Sequence, residues 1–271
     1  MKIIAIDSSG LVASVAVLDD ENLLASYTID YKKTHSQTLL PMLDEISRMT
    51  ELDLTSIDAI AVSAGPGSFT GLRIGSATAK GLALSLNKPI IEVPTLAAMA
   101  YNMFDAVGLI CPIMDARRNQ VYNGLYCYWD HNLLTLVDQR AVSIEDLAAE
   151  INRRRPSYGT MFLGDGVPVY REKLEELLHV PHSYAPAHVN RQRAASVGAY
   201  AQVLFAEGKY VSSDEHTPIY LRKSQAERER EERIREQNIA SSDTPKPGST
   251  EAAAMQHEAP ADMKADEVAK A

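Results

Sequence analysis

Short apolar runs broken by turn residues open the chain: Ile3 to Ile6, then Val12 to Leu18 with small residues alternating, then Leu23 to Ile29. Ser8-Ser9-Gly10 and Asp19-Asp20-Glu21-Asn22 separate them, which predicts three successive strands in an antiparallel meander. Leu39, Leu43, Ile46 and Met49 then recur at helical spacing. Thr34 or Ser36 could cap that helix, and Pro41 is compatible with it only in the first turn. The apolar run Ile57 to Ala64 ends in Gly65-Pro66-Gly67, as a buried strand does when it enters a loop, and a helix is predicted from about Gly71 to Leu86. Pro89 to Val93 gives a further strand, and Thr95 could cap a helix beginning Leu96-Ala97-Ala98-Met99.

A second unit with the same flavour begins near Val107. It holds the predicted strands Leu109 to Met114 and Val121 to Tyr128, a helix from Ile144 to about Arg153, and Met161 to Leu163 leading into Gly164-Asp165-Gly166. A helix over Ala194 to Ala206 is ended by Gly208, and Pro218 to Leu221 reads as a last extended piece. The pattern divides the chain into two related lobes, 1–105 and 106–224, and a remainder, 225–271. In that remainder Glu and Arg dominate from Glu227 to Glu236, which predicts a solvated charged helix, and the stretch from Ser241 onward predicts a disordered tail.

With 271 residues, 45% hydrophobic and 23% charged, the chain can bury one sizeable core or two small ones. The opening apolar segment ends at Asp7, too short for a signal peptide or a membrane span, so a cytoplasmic protein without a membrane partner is expected. Cys111 and Cys127 are two isolated thiols in apolar surroundings, expected to be buried and reduced. A net charge of -9 argues against a broad basic surface for neutralising phosphates, while leaving room for a local basic patch.

The most specific stretch is Gly65-Pro66-Gly67-Ser68-Phe69-Thr70-Gly71-Leu72-Arg73-Ile74-Gly75. A strand-to-helix loop of this kind can present free amides and a helix N-terminus to a phosphate, or it can simply be a tight turn that packs closely. It lacks the Gly-Lys-Ser/Thr ending of a P-loop. Within the helix, Gly71, Gly75, Ala79 and Ala83 fall four apart and line one face with almost no side chain. Such a face suits either packing within the chain or close approach of a helix from another chain. Arg73 beside it could pair with a partner's carboxylate or stay solvated. His179 and His182 are separated by Pro181, which disfavours a helical metal pair, and His35 stands alone, so no metal site is predicted.

Met1-Lys2-Ile3-Ile4-Ala5-Ile6-Asp7-Ser8-Ser9, then His35-Ser36-Gln37 with Leu40-Pro41, then the glycine loop, resemble the TsaB (YeaZ) family. Asp115-Ala116-Arg117-Arg118 with Val121-Tyr122, and Pro218-Ile219-Tyr220-Leu221-Arg222, extend the resemblance to about Arg222. It implies an α/β chain with the two-lobed fold of actin, sugar kinases and Hsp70 chaperones. In that wider fold the first hairpin follows an aspartate and wraps nucleotide phosphates, which nominates Asp7, Ser8 and Ser9, with Gly65, Pro66, Gly67 and Ser68, as phosphate contacts. Ser9 stands where the wider fold has a glycine, and Asp115-Ala116-Arg117-Arg118 replaces an aspartate followed by glycines. Both departures argue against ATP hydrolysis.

The resemblance further implies a non-catalytic scaffold, with no catalytic residue of its own, in the machinery that places threonylcarbamoyl on tRNA adenosine. Its partners would be a TsaD-like catalytic subunit and a TsaE-like ATPase, with a homodimer when alone. The contact surface would be the helix after His35 and the helix from Gly71, hence His35, Leu39, Leu43, Gly71, Arg73, Gly75, Ala79 and Ala83. No cofactor would be required, although ATP or ADP could bind at the partner interface. The competing readings are a nucleotide-dependent phosphotransferase built on Asp7 and, more weakly, a metalloprotease.

Overall fold

The computed structural model describes residues 1–31, 35–222, 230 and 233–235. Its first half runs β1 (Lys2–Asp7), β2 (Ala13–Asp19), β3 (Asn22–Ile29), α1 (Leu39–Thr50), β4 (Ala59–Gly65), α2 (Phe69–Leu86), β5 (Ile90–Pro94) and α3 (Thr95–Tyr101). The second half repeats the same sequence of kinds: β6 (Leu109–Asp115), β7 (Gln120–Trp129), β8 (Asn132–Ser143), α4 (Ile144–Arg154), β9 (Thr160–Leu163), α5 (Val167–Leu177), β10 (His182–Tyr184) and α6 (Ala194–Ala206). The sheets have matching orders, β3-β2-β1-β4-β5 and β8-β7-β6-β9-β10. In each, an antiparallel three-stranded meander is extended by parallel strands. This duplicated arrangement is the two-lobed fold of actin, sugar kinases and Hsp70 chaperones.

Strand chemistry follows position in the sheet. Central β1 and β4 are apolar on both faces, and Ile3, Ile4, Ala5, Ile6, Ala59, Ile60 and Ala61 are all buried, because helices cover both sides. Edge strand β3 exposes Leu23, Leu24 and Tyr27. On one face of the first sheet α1 and α2 bring Met42, Leu43, Ile46, Ala79 and Ala83 onto Ile4, Ile6, Val15 and Val17.

The other face is covered from the far end of the chain. Ala194, Val197, Ala201 and Leu204 of α6 pack on Ile3, Ala5, Ala16 and Leu18. A Cβ at Gly198 would lie 2.2 Å from Leu18 Cδ1, so glycine there permits the approach. In exchange, Leu96, Met99 and Ala100 of α3 pack on Ile110, Met114 and Tyr126 of the second sheet. The last helix of each repeat therefore belongs to the other repeat's core. A cut at 105/106 follows the chain but divides both cores, which is why residues 1–224 form one compact unit.

Several local expectations change. Thr34 lies outside the described residues; Ser36 sits in a short 3-10 turn, and the N-cap of α1 is Thr38, with no side-chain cap bond. Thr95 is the first residue of α3 rather than its cap, its hydroxyl has no partner among the described residues, and the side chain of Gln139 accepts from Leu96 N at 2.9 Å instead. Helix α2 starts at Phe69, where Ser68 accepts from Gly71 N at 3.3 Å. Strands β8 and β10 and helix α5 were not anticipated. β8 has long exposed stretches and α5 buries only Tyr170 and Leu174, so neither shows a strong periodic stripe. Residues 218–221 form no strand; Ile219 N donates to Ala64 O at 2.7 Å within a strap that also joins Val211 to Ile90 and His216 Nδ1 to Glu92 Oε1 at 2.6 Å. The charged helix and tail expected over 225–271 lie outside the described residues apart from Arg230 and Arg233–Arg235, which are helical.

Candidate functional site

In a doubly-lobed α/β chain the strand ends that face the junction form the natural site, here the ends of β1, β4, β6 and β9. Asp7 closes β1 and is fully buried. Its Oδ1 accepts from Ser9 N at 2.9 Å and Ser9 Oγ at 2.7 Å, and its Oδ2 accepts from Ser63 Oγ at 2.6 Å. Burial raises its pKa, and the bonds from Ser63 and Ser9 act in the opposite direction. Both carboxylate oxygens are thus held by the chain itself.

The glycine loop packs directly against the turn after β1. Ser68 N donates to Ser9 O at 2.6 Å, and Ser8 Oγ donates to Gly71 O at 2.9 Å. A Cβ at Gly67 would lie 2.3 Å from Ser9 O, one at Gly71 2.1 Å from Ser8 O, and one at Gly75 2.4 Å from Ser8 Oγ. Gly67 and Gly71 are required because backbone meets backbone, and Gly75 because its backbone faces the Ser8 hydroxyl. The structure therefore brings Asp7, Ser8, Ser9, Gly65, Pro66, Gly67 and Ser68 together, but against each other. The amides of Ser9 and Ser68 already have carboxylate and carbonyl acceptors, and the Ser68 hydroxyl caps α2. Two of the amides that phosphate contacts would use therefore already have acceptors within the chain.

The small-residue face is corrected. Gly71, Gly75, Ala79 and Ala83 are buried against the first sheet and the turn after β1, and Leu39 and Leu43 are buried in the same core, so none of the six can meet a second chain. His35 is half-buried with Nε2 3.1 Å from Val12 O. Arg73 is exposed but held at home, 4.1 Å over the Phe69 ring and with Nε donating to Tyr220 Oη at 3.3 Å. What α1 and α2 do expose are Leu40 and Met49, nine residues apart and so on opposite flanks of α1, and Leu84 on the side of α2 away from its buried face. Helical spacing alone could not tell the two faces apart, since both carry small or apolar residues.

Across the junction, Asp115 ends β6 as Asp7 ends β1. It accepts from Arg117 N at 2.8 Å and Tyr170 Oη at 3.2 Å, and pairs with Arg117 Nη1 at 3.2 Å. Arg117, Arg118 and Asn119 all have left-handed backbone, with φ of 63°, 54° and 58°, so the glycine-free turn is made at some conformational cost. Asp165 follows β9 as Pro66 follows β4. Burial raises its pKa to about 6, against the lowering field of Arg191, and its Oδ1 has no partner among the described residues. Gln192, buried beside it, has both amide atoms unpartnered among the described residues, and both side chains converge on Gly10.

Gln139, not singled out in the sequence, and the stretch from Ile219 to Arg222, singled out only for its resemblance, complete the junction. Gln139 of β8 donates from Nε2 to Gly65 O at 3.1 Å while capping α3. Ile219 O would lie 2.3 Å from a Cβ at Gly65, whose φ is +128°, and Arg222 Nη1 donates to Ala116 O at 2.6 Å. The repeated meander was the available signal for Gln139, because it demands a third strand after β7. Among the described residues no group of three His, Cys, Asp or Glu side chains is placed to hold a metal. His182 instead lies in β10, its Nε2 3.2 Å from Glu175 Oε2.

The family model described as TsaD, tRNA N6-adenosine threonylcarbamoyltransferase, matches residues 22–230. The chain is 33% identical over 230 residues to the tRNA threonylcarbamoyladenosine biosynthesis protein TsaB of Bacillus subtilis (strain 168), covering 79% of this chain and 99% of that protein. The chain belongs to the TsaB family. The TsaB of Escherichia coli (strain K12) is 32% identical over 231 residues, with 83% of this chain and 96% of that protein covered. The solved structure of YeaZ from Pseudomonas aeruginosa superposes with a TM-score of 0.70 at 26% identity, covering 81% of this chain and 99% of that one. Among the described residues no helix is long and apolar enough to cross a membrane.

Proposed function

We propose that this chain works in tRNA threonylcarbamoyladenosine biosynthesis as a non-catalytic scaffold in the cytoplasm. It binds and supports a TsaD-like subunit that transfers threonylcarbamoyl to N6 of the adenosine beside the anticodon, with a TsaE-like ATPase assisting and tRNA met only through the complex. The names of its TsaB relatives support the pathway. The observation that carries the scaffold role is the junction itself: Asp7 has both oxygens bonded within the chain, and the glycine loop is filled by the turn after β1. A phosphotransfer site needs those groups aimed at the nucleotide and its metal.

The docking surface is the outer side of α2, with exposed Leu84 as its apolar anchor and Arg73 at one end, beside the exposed part of α1. Alone, the chain pairs with a second copy through the same face; the TsaD-like subunit displaces that copy. An adenine nucleotide, where one binds, sits between the two subunits rather than in this chain's own junction. The test is ATP turnover and size of the pure chain, then tRNA modification after mixing with the TsaD-like subunit of the same host, the adenylate-forming enzyme and the TsaE-like ATPase. No turnover alone, a heterodimer on mixing and modification only in the mixture are expected. Turnover by the chain alone, abolished by Asp7→Ala, would move the chemistry into this junction and overturn the scaffold role.

A further inference from the structure

After α6 the chain turns back over the first repeat. Val211 exchanges two backbone bonds with Ile90 of β5, each 2.9 Å. Glu92 Oε1 accepts from His216 Nδ1 at 2.6 Å and from Thr217 N at 3.2 Å. Ile219 N donates at 2.7 Å to Ala64 O near the end of β4, and Arg222 Nη1 donates at 2.6 Å to Ala116 O, just past β6. Residues 211–222 therefore run from the outer edge of the first sheet to the far side of the junction.

Almost nothing apolar fastens this strap. Within it only His216 is buried, at 1% exposure, whereas Ile219 and Tyr220 are 42% and 39% exposed. The buried anchor is polar, and its Nε2 has no hydrogen-bond partner among the described residues. An unmet buried polar atom lowers the stability of the docked state, and a segment with little apolar burial opens at low free energy. Strand β4 beneath it is buried along its whole length, so strap and sheet are fastened by different means.

At its far end the strap covers the start of α2. The Tyr220 ring lies on the Phe69 ring with centroids 4.7 Å apart, and Tyr220 Oη accepts from Arg73 Nε at 3.3 Å. The Arg73 guanidinium is itself 4.1 Å from the Phe69 centroid. Tyr220 thus engages both the ring and the cation that this end of α2 offers to a partner.

We propose that residues 211–222 are a releasable strap that opens as one unit while both repeats stay folded. Closed, it keeps Phe69 and Arg73 engaged within the chain. Open, it presents them to a partner that offers a carboxylate beside an apolar side chain. The bonds that hold Asp7 and the glycine loop to the turn after β1 involve no strap residue, so they survive the opening. The gating of α2 rests on the docking surface proposed above; the opening itself does not.

Hydrogen exchange of the full chain, read by mass spectrometry on peptides around Val211 and Ile219, measures the opening. Both peptides should be protected at least about a hundredfold less than β1 and β4. Glu92→Ala removes the acceptor of two bonds and should lower the protection of both by about ten- to a hundredfold. Tyr220→Ala should lower both by about three- to tenfold, and neither variant should change exchange in β1 or β4. Strap protection equal to that of β1 and β4 overturns the proposal, and so do variants that each loosen only the neighbouring peptide. For the gating, Tyr220→Ala should tighten association with the TsaD-like subunit by about three- to tenfold in sedimentation velocity, because the closed strap no longer competes. Weaker association would make Tyr220 part of the interface and overturn the gating. No complex with the parent chain would count against the docking surface and not against the strap, whose opening is read from the free chain.

Discussion

At the scale of single residues, the glycine loop is a record of close approach. Gly71→Ala would drive a methyl into Ser8 O, a backbone atom that cannot swing away, and should destabilise the chain by about 3 kcal/mol in urea unfolding. Gly81 lies in the same helix with nothing within 4 Å of its Cβ position, so Gly81→Ala should be stabilising by about 1 kcal/mol. The contrast between the two measures packing separately from helix propensity. Asp165 offers a pH test. Its folded pKa of about 6 lies above the ordinary 3.8, so the folded state holds the proton more tightly, and stability falls as pH rises from about 4 to 6. The ionised carboxyl then opposes folding by about 3 kcal/mol above pH 6. Asp165→Asn should raise the urea midpoint at pH 7.5 and leave it nearly unchanged at pH 4; an equal change at both would show that desolvation of the charge is not the cause. The sequence made the specific loop legible as a place where backbone comes close. It could not say to what, because a glycine facing a phosphate and a glycine facing Ser8 O look alike until the turn after β1 is in position.

At the scale of elements, α1 and α2 each have two faces that the sequence presents as equally usable. The buried one holds Leu39, Leu43, Gly75 and Ala79; outside it, Leu40 and Met49 stand exposed on opposite flanks of α1 and Leu84 on the outer side of α2. Substitutions on the two should separate cleanly. Leu43→Ala should lower stability by about 2–5 kcal/mol through the cavity it leaves. Leu84→Asp should melt like the parent and fail to associate with itself or with a TsaD-like subunit in sedimentation velocity. Association unchanged by Leu84→Asp would remove this face from the proposed interface. Gln139 links elements from both repeats through Leu96 N and Gly65 O, so Gln139→Ala should cost about 1–3 kcal/mol in urea unfolding. That residue was invisible in the sequence because β8 alternates only in part and its end reads as loop.

At the scale of the whole molecule, exchange of α3 and α6 makes the two repeats fold as one unit. A fragment ending at residue 105 would expose the sheet face that α6 covers and should not give a cooperative transition by calorimetry; a sharp transition would show that the first repeat stands alone. By itself the sequence determined the strands and helices with strong periodicity, the existence of two related lobes, the family, and the two turns where glycines are missing. Those follow from local spacing and residue type, which act over a few residues. Tertiary structure alone decided which helix face is buried, that the terminal helices are exchanged, and that Asp7 is held by Ser9 and Ser63 while the glycine loop packs on the turn after β1. Each of these depends on groups as distant in the chain as Gly65 and Ile219, or Leu18 and Gly198, being brought into contact, and periodicity along one segment carries no information about which distant segment will cover it.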